Sequence, residues 1–266
     1  MNDNAHPVRL SARDLTLRYG DRVVATGLSL DIPDRAFTVI VGPNACGKST
    51  LLRALVRLLR PAEGSVRLDE ADLAAHPAKQ LARTLGFLPQ DPLSPDDIKV
   101  RQLVARGRYP HQSALSLWSR ADEEAVAEAM ATAGVADLSE RLVTELSGGQ
   151  RQRVWVAMVL AQQTPYLLLD EPTSFLDLAH QYRLLDLLAR LRDEGRTVIA
   201  VLHDINQACR YADHLIAMKD GRVVAEGPAK TIVDAELVDD VFDLPSVVVD
   251  CPTTGAPMVV PEPGHR

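Results

Sequence analysis

The stretch "VGPNACGKST", residues 41–50, fits the pattern G-x-x-x-x-G-K-[ST] at Gly42, Gly47, Lys48 and Ser49. Glycines let a backbone wrap closely around a phosphate, and amides at a helix start meet its negative charge. Lys48 is placed to neutralise β- and γ-phosphates, and the Ser49 hydroxyl to ligate Mg²⁺. The flanks suit that mechanism. Before the loop, "AFTVIVG" is apolar and β-rich almost without a break, as a strand buried on both faces is. After it, "KSTLLRALVRLLR" has helical leucine spacing and predicts a helix running up to Pro61. Strand, glycine loop and helix open an α/β unit.

Working outward, "VRLSARDLTLRYG" and "RVVATGLSLDI" alternate, and predict two strands of a sheet with one solvated face. Buried-strand signals return at "PYLLLD" (165–170) and "RTVIAVLH" (196–203). Between them and the first half, "DPLSPDDIKV" is a loop rich in proline and aspartate. A largely helical region follows, including "ADEEAVAEAMATAG" with Gly134 as its stop. The chain therefore divides into a parallel-sheet core, residues 1–90 and 164–230, with a helical insertion at 91–163. The extension from 231 to 266 adds a short helix, "DAELVDDVF", and two apolar runs, "SVVVD" and "PMVVP".

The 266 residues carry 46% hydrophobic and 24% charged side chains, ordinary for a soluble globular protein. No apolar run reaches the length that crosses a bilayer. "MNDNAHPVRL" lacks the basic head and apolar core of a secretion signal, which predicts a cytoplasmic chain. The cysteines, Cys46, Cys209 and Cys251, make neither a zinc pattern nor a disulfide framework. A net charge of −7 argues against nucleic acid as a partner.

A P-loop needs a carboxylate at the end of a neighbouring strand. "YLLLDE" supplies Asp170 for Mg²⁺ and Glu171 to polarise an attacking water. Gln90 follows "TLGFLP" and His203 follows "TVIAVL". Both fall at the ends of parallel strands, where such sheets bind ligands, so both can reach the γ-phosphate region. Tyr19 ends the first strand and can stack on adenine.

A second glycine device, "ELSGGQRQR" at 145–153, lies far downstream of the first. Ser147 is a natural helix N-cap. Gly148 and Gly149 cost helix stability unless something must come close. Val154, Ala157, Met158 and Ala161 mark the face that anchors this helix.

In this order, the motifs resemble the ATPase subunits of ABC transporters over nearly the whole chain. The matching stretches are 42–50, Gln90, "LSGGQ" (146–150), "LLLDE" (167–171), "SFLD" (174–177) and "VLHD" (201–204). The resemblance implies a P-loop NTPase with a RecA-like α/β core, an N-terminal antiparallel β subdomain and an inserted helical subdomain carrying the signature. It implies ATP held by Tyr19, Gly42, Pro43, Asn44, Ala45, Cys46, Gly47, Lys48, Ser49 and Thr50. Mg²⁺ would sit on Ser49, Gln90 and Asp170, with Glu171, His203 and Gln90 as the catalytic group. It also accounts for two glycine devices. Two copies pair head to tail, and Ser147, Gly148, Gly149 and Gln150 of one close over the γ-phosphate held by the other. One departure is Ala45, where the family commonly has glycine.

With no membrane span fused, the resemblance implies a separate permease that holds the chain at the cytoplasmic face of the membrane, in a system with a substrate-binding protein. "VARGRYPHQ" (104–112), "TSFLDLAHQYRLLDLL" (173–188) and "VVVDCPTTGAPMVVP" (247–261) resemble the importers of iron–siderophore complexes, with cobalamin and haem importers as relatives. Arg108, Tyr109, Pro110 and His111 are expected to form the edge that docks the permease. The rival reading is a soluble ABC ATPase for assembly of a cytosolic complex, such as iron–sulfur cluster machinery.

Overall fold

The computed structural model describes residues 8–93, 95–112 and 118–264. They divide into two compact units, residues 8–76 with 191–264 and the described residues of 77–190. In chain order the first five strands are β1 (Val8–Tyr19), β2 (Arg22–Pro33), β3 (Phe37–Val41), β4 (Glu63–Leu68) and β5 (Ala71–Asp72). Then come β6 (Leu85–Leu88), β7 (Tyr166–Asp170), β8 (Thr197–Val201), β9 (His214–Lys219) and β10 (Arg222–Gly227). A hairpin of β11 (Ser246–Asp250) and β12 (Pro257–Pro261) closes the series. The helices are α1 (Lys48–Leu55), α2 (Ala78–Ala82), α3 (Val100–Ala105), α4 (Arg120–Thr132) and α5 (Gly148–Ala161). They continue with α6 (Leu178–Asp193), α7 (Ile205–Tyr211), α8 (Ala229–Ile232) and α9 (Ala235–Phe242).

In the first unit, β2-β1-β4-β5 form an antiparallel sheet. Its alternation is visible in β2, where Ala25, Leu28, Leu30 and Ile32 point to the core. A second layer has the order β10-β9-β3-β8. There β3 is parallel to both β8 and β9, and every residue of β3 and β8 is buried. That burial on both faces explains why neither strand alternates in sequence. The second unit pairs β6 with β7 in parallel and packs α3, α4 and α5 together.

α1 stops at Leu55, six residues short of the predicted end at Pro61. Arg57 turns into the left-handed region at φ 60°, and the amides of Leu58 and Leu59 fold back onto the Arg53 carbonyl. The Arg57 guanidinium donates to the carbonyls of Leu73 (3.1 Å) and His76 (2.6 Å). These distant acceptors draw the side chain out of line, and leucine spacing carries no trace of them. α5 also differs from expectation. From Val154 to Ala161 it is enclosed on all sides, with only Met158 partly open, so no single face anchors it.

Candidate functional site: a phosphate loop and a carboxylate pair

In the first unit, β3 delivers the chain into Gly42 at φ 149°. A Cβ there would lie 2.1 Å from the Met218 carbonyl oxygen of β9, so only glycine fits. Gly47, at φ 108°, caps α1 without a side chain. The Gly221 amide braces the loop by donating to the Cys46 carbonyl at 3.0 Å. Lys48 is buried, and its Nζ donates to the carbonyls of Gly42 (2.9 Å) and Pro43 (2.8 Å). The ammonium is thus held within its own loop by two backbone carbonyls. Ser49 is half-buried and Thr50 buried, whereas Asn44 and Ala45 are exposed. Burial pushes the Cys46 thiol up, so at neutral pH it is a packing group and not a thiolate.

Ala45 sits in the left-handed region at φ 62°. That explains the family's usual glycine, since a Cβ in this conformation costs about 1–2 kcal/mol. Tyr19 leaves 43% of its surface open, with its hydroxyl accepting from Arg53 at 3.1 Å. Its ring is oriented by that bond and open to stacking. His203 is exposed beyond the end of β8. Its neighbour Asp204 caps α7 by accepting from the amides of Asn206 (2.8 Å) and Gln207 (3.1 Å).

In the second unit, β7 is wholly buried and ends on Asp170. Glu171 follows at φ 52°, buried, in a conformation that bulky residues rarely adopt. Such outliers persist where the surroundings hold them. Here Gln90 Nε2 donates to Glu171 Oε2 at 2.8 Å, and the Ser174 hydroxyl donates to the same oxygen at 3.3 Å. The structure therefore joins Gln90 to Glu171 across 81 positions of sequence. Ser174 had no role assigned from sequence, and its only signal was its place in "SFLD".

Ser147 caps α5 as predicted, accepting from the Gln150 amide, while Gln150 Oε1 accepts from the Ser147 amide. The glycines behind the cap have close neighbours in their own unit. A Cβ on Gly148 would lie 3.4 Å from Phe175 Cβ, and one on Gly149 would lie 3.3 Å from Leu176 Cδ2. So the chain's own "SFLD" turn uses part of the space that the glycines leave. Phe175 is left-handed at φ 64° and 73% exposed. Buried Gln152 donates to the Pro172 carbonyl at 3.1 Å and ties α5 to this turn. It falls outside the motif and was not singled out.

The expected docking edge needs one correction. Arg108 is buried and donates to Asp122 (2.9 Å), to the Ala161 carbonyl (2.8 Å) and to Gln163 (2.8 Å). It cannot also face a partner. Its guanidinium anchors the segment from inside, which leaves Tyr109 exposed, while His111 is half-buried against the Gln162 carbonyl. Among the described residues no helix is long and apolar enough to cross a membrane.

The phosphate loop accommodates ATP: a position at Gly42 that only glycine fits, a buried lysine held on the loop's own carbonyls, and a helix opening beyond. Ser49 in the first unit, and Gln90 and Asp170 in the second, each carry an oxygen donor of the kind that Mg²⁺ selects. Comparison with known proteins bears out the nucleotide chemistry. Residues 25–174 match the model of a family described as "ABC transporter". The chain is 53% identical to the ferric enterobactin transport ATP-binding protein FepC of Escherichia coli K12, covering 95% of this chain and 94% of that protein. It is 47% identical to the petrobactin import ATP-binding protein FpuD of Bacillus anthracis, covering 95% and 93%. Among solved structures, a dimeric bacterial ABC transporter cassette superposes with a TM-score of 0.75 at 29% identity, covering 82% of this chain and 98% of that one. With this loop, this signature helix and these relatives, the chain belongs to the ABC transporter family, as an ATP-binding subunit that hydrolyses ATP.

Proposed function

We propose that this chain powers uptake of an iron–siderophore complex through a separate membrane permease, which holds it at the cytoplasmic face of the membrane. Two copies act head to tail, and a substrate-binding protein delivers the cargo. The relatives that act on ferric enterobactin and petrobactin support the cargo class. Residues 91–163 are the arm that presents the signature, 1–90 with 164–230 the nucleotide-binding core, and 231–266 an extension.

Tyr19 stacks on adenine, and the amides of 42–50 cradle the phosphates, with Lys48 turning from the Gly42 and Pro43 carbonyls towards the anion. Ser49, Asp170 and the Gln90 side chain would hold Mg²⁺, which would neutralise charge on the phosphates. Glu171 takes the proton of the attacking water, and His203 reaches the γ-phosphate region. Ser147, Gly148, Gly149 and Gln150 of the second copy close the site with amides and a helix start.

The observation that carries this reading is the Gln90–Glu171 contact, with the carboxylate buried, oriented and held in a rare backbone conformation. General-base catalysis contributes about 10²–10⁴-fold. Glu171→Gln should lower ATP turnover by that factor, leave ATP binding intact and trap an ATP-dependent dimer visible by gel filtration. Turnover at the wild-type rate would remove Glu171 from the mechanism.

A further inference from the structure

The second unit contains a cavity of about 390 Å³ that the ATP chemistry does not use. This is within the size range of sites for small organic ligands. It opens between the end of α4, the middle of α5 and one side of α6. Its floor is apolar, built by Val156, Leu184 and Leu187, all buried. Its walls carry three guanidiniums, those of Arg153, Arg183 and Arg190, together with His180. Asp186 is the one carboxylate on the lining.

Arginines in such numbers are normally matched by acids. Here the acids are Asp186 on the lining and Asp177, which pairs with His180 at 2.8 Å and whose carboxyl is held down by its bonds from His180 and, less, by the Arg183 charge. The Arg153 Nε is enclosed with no hydrogen-bond partner, and its Nη1 makes only a long bond, 3.4 Å, to the Gly134 carbonyl. Arg183 and Arg190 stand seven residues apart on α6, two turns along one face and about 10 Å along the axis. Three guanidiniums thus face two carboxylates, which leaves positive charge in excess around the apolar floor.

We propose that this cavity binds a small amphiphilic oxyanion, a molecule with carboxylate or other oxyanion groups on a compact apolar body. The oxyanions meet the guanidinium forks, whose planar donors match them in pairs. The apolar body lies on the valine and leucine floor and removes it from water.

The test is calorimetric titration of the full chain with isophthalate, an aromatic dicarboxylate, beside sulfate and the uncharged isophthalamide. Isophthalate should bind, and the other two should each bind about tenfold more weakly, since each lacks one of the two interactions. Arg183→Gln with Arg190→Gln should weaken isophthalate about tenfold or more. Both side chains are exposed, so this variant should keep the wild-type melting point. Lys48→Ala should leave isophthalate affinity unchanged, because that charge belongs to the phosphate loop. No binding at millimolar isophthalate would overturn the proposal. Full affinity in the double variant, or a loss confined to Lys48→Ala, would do the same. Sulfate or isophthalamide binding as tightly as isophthalate would overturn the amphiphilic assignment.

Discussion

Replacing Arg108 by methionine removes the one guanidinium that holds α4, the end of α5 and the "RYPH" segment together. Breaking a buried ion pair by deleting one partner costs about 3–5 kcal/mol, mostly from the charge left behind. The lower end applies here, because Asp122 keeps the Ser119 hydroxyl at 2.7 Å and the Ser119 amide at 3.1 Å. Gln163 is exposed and can turn to water, so its loss adds little. The expected cost is about 3 kcal/mol, which at a urea slope of about 2 kcal/mol/M lowers the midpoint by about 1.5 M. The chain's two tryptophans, Trp118 and Trp155, both lie in the second unit, so tryptophan fluorescence reads the unfolding of that unit. Adding Asp122→Asn to the Arg108 variant should recover about 1–2 kcal/mol, because the stranded charge disappears. Acid gives an independent check. Bonds from Ser119, and then from Arg108, hold the Asp122 carboxyl down from 3.8 to about 2. A depressed carboxyl contributes stability that is complete above its unfolded value and is lost as pH falls towards the folded one. The wild type should therefore lose this contribution between pH 3.8 and about 2, and the Arg108 variant should lose less over the same interval. A midpoint shift below about 0.5 M, or costs of the two substitutions that simply add, would refute the reasoning.

Ala45→Gly should stabilise the chain by about 0.5 kcal/mol, since relief of the left-handed Cβ outweighs the unfolded-state entropy of glycine. Calorimetry should show a higher melting temperature, and a destabilised variant would mean that Ala45 is unstrained. Mixing Lys48→Ala with Gly148→Asp subunits should restore up to about a quarter of wild-type turnover if the signature acts across a dimer, because about half the dimers are mixed and each has one intact site. With subunit exchange shown by tagged chains, no recovery would count against the shared site. Tyr109→Ala should leave ATP binding unchanged and reduce recovery of the chain with permease-containing membranes, and equal recovery would move the docking edge elsewhere.

The phosphate loop was legible because its requirements are local. Gly42, Gly47, Lys48 and Ser49 act through backbone conformation and spacing within one turn of chain. The buried strands β3, β7 and β8 were legible for a similar reason: enclosure on both faces leaves an unbroken apolar run. The capped start of α5 was equally plain, since Ser147 and Gln150 bond to each other across a single helical turn. Strands β4, β5 and β10 went unmarked, because short, half-exposed strands are specified by the neighbours they pair with; β9 also went unmarked, although Leu215–Met218 is a buried apolar run. Arg108 and Arg57 show what sequence does not contain. Each looks like an ordinary surface cation until Asp122, Ala161 and Gln163, or Leu73 and His76, are brought beside it. Gln90 and Glu171 were each identified by the strand they follow, but their hydrogen bond exists only because β6 and β7 pair in register. A motif fixes which atoms are offered over a few residues of chain. Which distant acceptor each one meets, and whether a charge is buried or solvated, is decided by packing, because burial and long-range contacts are properties of the folded chain.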